Sequence, residues 1–92
     1  MTAETRRDLH TAIFFKLKPP VYPRGRTLKF LHAEIRNEVD CTEQELEAEL
    51  HYFKDSGLVI DLQQDKHNPD LPVFWALTAE GLREARARGL CT

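Results

Sequence analysis

Cysteine is scarce in this chain: Cys41 and Cys91 are the only two among 92 residues. Two thiols make no disulfide framework, and neither sits in a motif that would lower its pKa, so both read as free. Long apolar runs are absent, since none approaches the roughly 18 residues of a membrane span. The first ten residues, MTAETRRDLH, carry acids and no apolar segment of a secretory signal, so a cytoplasmic protein is expected. The few glycines form no phosphate-cradling loop, and there is no nucleophile elbow. His10, His32, His51 and His67 are scattered, with no second histidine or cysteine at metal-ligand spacing. These absences argue against an enzyme, a metal site or a cofactor.

What is present is an ordinary globular balance, 41% hydrophobic and 30% charged residues, on a chain long enough for one domain spanning 1–92. The net charge of −2 hides an asymmetry. Residues 1–36 hold eight Lys/Arg against three Asp/Glu, whereas residues 37–70 hold two against ten. A basic front and an acidic middle suggest two surfaces with different partners.

The apolar spacing predicts four helices and a hairpin. Thr5 is expected to cap a first helix, with Asp8 three residues on and Leu9, Ala12, Ile13 and Leu17 at helical spacing. Pro19-Pro20 ends it and opens a basic, proline-rich loop, PPVYPRGR. Thr27 caps a second helix with Leu28, Leu31 and Ile35 buried and Val39 closing it. After a short turn at Asp40 and Cys41, Thr42 and Glu45 form a capping box for a third helix that buries Leu46, Leu50 and Phe53. Gly57 stands where a left-handed C-terminal residue is wanted. Leu58–Leu62 and Val73–Leu77 read as strands around the turn-rich QQDKHNPD. Thr78 caps a last helix ending at Gly89. Most of Phe14, Phe15, Phe30, Phe53, Phe74 and Trp75 belong in the core of so small a domain. Adjacent helix positions point about 100° apart, so one of Phe14 and Phe15 is expected outside the core, where it would serve a homodimer.

Two phrases carry a family resemblance. LHYFKDSGLVI, Leu50 to Ile60, resembles the winged-helix phrase in which a recognition helix ends in Gly-Leu-Val and runs into the wing. FWALTAEGLREAR, Phe74 to Arg86, is similar to the second wing strand and the Leu-Thr-x-x-Gly helix start of MarR-like and PadR-like regulators. The resemblance covers almost the whole chain. It implies an α+β fold of the winged helix-turn-helix superfamily, with three helices, a two-stranded wing and a C-terminal helix. It also implies binding of double-stranded DNA, with the third helix in the major groove.

Carried over by position, the exposed face of the third helix is Glu43, Gln44, Glu45, Glu47, Ala48 and Tyr52, with Glu49 adding to its acidity. Phosphates repel such a face, and only His51 and Lys54 offset it. Residues two apart on a helix diverge, so these glutamates read as a solvated acidic face rather than as paired catalytic carboxylates. The basic residues lie elsewhere, at Lys16, Lys18, Arg24, Arg26, Lys29 and Arg36, around the loop and the second helix. Two readings remain open. In the first, a DNA-binding regulator contacts phosphates through those six residues and takes specificity from Gln44 and Tyr52, with His51 beside them. In the second, a protein-interaction module docks Glu43, Glu45, Glu47 and Glu49 on a basic surface, such as one that normally holds nucleic acid.

Overall fold

The computed structural model describes residues 2–17 and 25–90. Helix α1 (Ala3–Leu17) starts earlier than its apolar spacing predicts. The Thr2 hydroxyl accepts from the Thr5 amide at 3.1 Å, so Thr2 satisfies one of the open donors of the first turn and Thr5 lies inside the helix. The helix is described as far as Leu17; the Pro19-Pro20 stop lies outside the described residues, as does most of the basic loop.

Helices α2 (Leu28–Ile35) and α3 (Glu43–Asp55) follow their capping signals. Thr27 Oγ1 accepts from the Phe30 amide at 3.3 Å. Thr42 makes both bonds of the capping box: its hydroxyl accepts from the Glu45 amide at 3.1 Å, and its amide donates to Glu45 Oε1 at 2.8 Å. At the end of α3, Gly57 adopts φ +79°, which lets the Leu58 amide turn back to the Phe53 carbonyl at 2.9 Å.

Strands β1 (Val59–Leu62) and β2 (Phe74–Leu77) pair antiparallel, from Val59 opposite Leu77 to Leu62 opposite Phe74. The second strand begins one residue later than expected, so the connection spans residues 63–73. On the other edge of β2, Arg26 and Trp75 exchange both backbone hydrogen bonds, at 2.8 and 2.7 Å. A side chain at Gly25 would strike the Trp75 carbonyl, so glycine permits this close approach.

Helix α4 (Ala79–Ala87) is capped by Thr78, whose hydroxyl accepts from the Gly81 amide at 3.0 Å and donates to the Gly57 carbonyl at 2.6 Å. One threonine thereby ties the end of α3 to the start of α4.

The core lies among the helices and the inner face of the hairpin. Leu9, Ile13, Phe14 and Leu17 from α1 meet Leu31 and Ile35 from α2 and Leu46, Leu50 and Phe53 from α3. Val59, Trp75 and Ala85 close it. Of the adjacent pair, Phe14 is fully buried and Phe15 is 42% exposed. Phe30, one of the six aromatics of which most were expected in the core, is exposed as well. The result is an α+β fold of four helices and a two-stranded antiparallel sheet, in the order expected from the sequence.

Candidate interaction groove between the third helix and the hairpin

Helix α3 buries one face and offers another, and the division differs from the expected one at Glu49. That residue is only 8% exposed. Its carboxylate accepts from Arg6 Nε at 3.0 Å and from His10 Nε2 at 2.6 Å, which joins α3 to α1. The reason is helical geometry: residues 46, 49, 50 and 53 fall at steps of three, one and three on a single face. Glu49 therefore belongs with the buried stripe and not with the solvated acids. Its partners were missed, although the i, i+3, i+4, i+7 spacing was the signal for its burial.

The remaining glutamates separate further. Glu45 is half-buried, and its side chain is committed to the cap. The hydrogen bond from the Thr42 backbone holds its carboxyl below the ordinary glutamate range. Glu47 is exposed and Glu43 half-buried, and both line a groove of about 340 Å³ between α2, α3 and the hairpin. Leu28, Pro72, Val73 and Trp75 supply its apolar wall, and Lys29, His51 and Asp61 complete it. His51 meets Trp75 edge-on at 5.3 Å between centroids. A shallower depression of about 260 Å³, lined by Leu28, Glu43, Gln44 and Glu47, shares three of the same residues. Asp61 receives Lys54 Nζ at 3.0 Å, and this hydrogen bond lowers its carboxyl pKa below the ordinary aspartate value.

Tyr52 lies apart from Gln44, which lines the shallower depression. It lies on the α1 side, where its ring stacks on His10 and the Arg6 guanidinium sits over it at 5.1 Å. There it lines an open cleft of about 470 Å³ with Thr2, Ala3, Arg6, Arg7 and His10. The two residues expected to read bases together thus line different cavities.

The six expected phosphate ligands also part company. Lys16 is held by Glu38 at 3.4 Å and Glu34 at 3.9 Å, so its charge is largely answered within the protein. Lys18 and Arg24 lie outside the described residues. Arg26 is pinned to Trp75 through its backbone, and its guanidinium lies over the Phe30 ring at 4.1 Å. Lys29 and Arg36 are exposed on α2 and at its C-cap.

Cys41 is buried between α2 and α3 as a free thiol, and its carbonyl accepts from His32 Nε2 at 2.9 Å. Burial, with Glu45 and Asp40 adding to it, raises its pKa, which disfavours the reactive thiolate. Cys91 lies outside the described residues. Among the described residues, no three His, Cys, Asp or Glu side chains converge as a metal site, and no helix is long and apolar enough to cross a membrane.

No family model, curated protein or solved structure matches the chain. The functional reading therefore rests on the groove and its charges.

Proposed function

We propose that the protein is a non-enzymatic interaction module on a winged-helix scaffold, and that the groove beside α3 docks a basic protein surface. The scaffold reading is supported by the element order and by the pairing of Arg26 on the free edge of β2. The docking reading is carried by one observation. Glu43 and Glu47 both line the groove, and neither has an ion-pair partner among the described residues. A surface of this sign attracts cations and repels the phosphates of a nucleic acid. The basic surface it meets can be one that otherwise holds nucleic acid, which would make this protein a competitor for that site.

A DNA-binding regulator is the second reading, favoured by Lys29 and Arg36 exposed on the helix that crosses the backbone in helix-turn-helix proteins. The two readings predict opposite responses to one pair of changes. Binding to poly-L-lysine and to random-sequence duplex DNA is measured over a salt series for the native chain and for Glu43→Gln with Glu47→Gln. A charge-matched control carries Glu4→Gln with Asp8→Asn on α1. The docking reading expects the groove pair to weaken poly-L-lysine binding more than the control does, with no DNA binding by the native chain. Steeply salt-dependent DNA binding that strengthens in the groove pair would overturn it.

A further inference from the structure

We propose that the groove receives an arginine-bearing segment of a partner protein, with one guanidinium between the carboxylates of Glu43 and Glu47 and its stem on Leu28 and Val73. The proposal rests on the protein-docking reading above and names the chemistry of the partner.

Glu43 and Glu47 are four residues apart, so their side chains stand one above the other on a single face of α3 and repel one another. The other two glutamates of this helix are satisfied within the fold, Glu45 by the cap and Glu49 by Arg6 and His10. Lys29 lines the same groove and forms an ion pair with neither Glu43 nor Glu47. Among the described residues the pair therefore has no ion-pair partner, and it stands at the rim of a cavity with one apolar wall.

The shape of the site selects among cations. A metal ion needs several donors at one point, and no three side chains converge among the described residues. Two carboxylates separated by a helical turn instead match the planar, five-donor fork of a guanidinium, which can bond both at once. An ammonium can also reach two carboxylates four residues apart, as Lys16 does with Glu34 and Glu38. It is the more strongly hydrated cation and lacks the fixed fork, so the guanidinium suits a site beside an apolar wall better. The wall of Leu28, Pro72, Val73 and Trp75 suits the apolar stem of a long side chain and an apolar neighbour on the same segment. A volume of about 340 Å³ admits side chains and not a whole helix, so the partner is expected to lay a segment across the groove.

Trp75 is the only tryptophan in the chain and lines the groove, so its fluorescence reports on occupancy. The probe is a short peptide with one arginine flanked by leucines, compared with the same peptide carrying citrulline, which keeps the shape and removes the charge. The arginine peptide is expected to give a saturable change in Trp75 emission. Citrulline, or Glu43→Gln with Glu47→Gln, is expected to weaken binding about tenfold, the scale of one charge-assisted hydrogen bond. The Glu4→Gln, Asp8→Asn control is expected to bind as the native chain does, and circular dichroism checks that each variant is folded.

Equal binding of the citrulline peptide, or indifference to the groove pair, would overturn the proposal. So would N-acetyl-arginine amide binding as tightly as the peptide, which would make the ligand a small molecule, or duplex DNA eliciting the same Trp75 response. Should poly-L-lysine bind through Glu43 and Glu47 while the arginine peptide does not, the arginine segment is wrong and the docking reading stands. Should neither bind, both fall.

Discussion

Replacing Glu49 by alanine separates the acid that holds the fold from the acids that face solvent. Glu49 is 8% exposed and accepts two hydrogen bonds from α1, from His10 at 2.6 Å and from Arg6 at 3.0 Å. Hydrogen bonds to charged groups contribute about 1.5–3 kcal/mol each when well buried. The Arg6 side chain is half exposed and regains water when released, so its bond is discounted to below about 1 kcal/mol. The His10 side chain is mostly buried against Tyr52 and Phe53 and regains water poorly. Helix propensity does not offset the loss, because alanine and glutamate differ little. The sum is a destabilisation of roughly 2–3 kcal/mol. Glu47→Ala, on the exposed face of the same helix, is expected to stay within about 0.5 kcal/mol of the native chain. Urea unfolding measures both: at a slope near 1 kcal/mol/M, typical of a small domain, the Glu49→Ala midpoint falls by about 2–3 M. If the two variants unfold at the same urea concentration, Glu49 does not tie α1 to α3 and the corrected face of the helix is wrong.

Three further outcomes test the frame of the fold. Leu50 is fully buried between the helices, so Leu50→Ala is expected to cost about 2–5 kcal/mol in the same unfolding assay. Gly81→Ala would gain about 1 kcal/mol from helix propensity in open space, but its Cβ would be driven into the Leu58 carbonyl oxygen, so a net loss in thermal stability is expected. The carboxyl of Glu45 has its pKa lowered in the fold by the Thr42 backbone bond, so its stabilisation is present above the ordinary glutamate pKa of about 4.3 and is lost as pH falls through the lowered value. Glu45→Gln is expected to flatten the acid limb of stability against pH while leaving Thr42 in place.

The elements were legible where a local signal had one solution. Thr27, Thr42 and Thr78 each precede an apolar stripe and each caps the helix expected. At the N-terminus two threonines stand three residues apart, and helical spacing alone does not choose between Thr2 and Thr5. The pairing of Arg26 with Trp75 joins residues far apart in the chain and involves a single pair, too short for any strand pattern. The Phe14-Phe15 alternation was foreseeable, but which ring enters the core depends on how α1 packs on α3, where Phe14 meets Phe53 at 5.1 Å. At the groove, the acidic character of α3 could be read directly from its residues. Its division could not, because Glu45 is drawn off by the cap and Glu49 by α1. The apolar wall comes from Leu28, Pro72, Val73 and Trp75, which only the fold sets opposite Glu43 and Glu47.

Amide chemical-shift mapping tests the central claim most directly, because it reports which surface is used and by which ligand. The native chain is titrated separately with the arginine peptide and with random-sequence duplex DNA at low salt, where electrostatic contacts are strongest. The account predicts that the peptide shifts the amides of Lys29, Glu43, Glu47 and Val73 and leaves those of Arg6, His10 and Tyr52 unmoved, while DNA shifts none of them. DNA shifting the amides of Lys29, Arg36 and Gln44, with the peptide leaving the groove untouched, would contradict it.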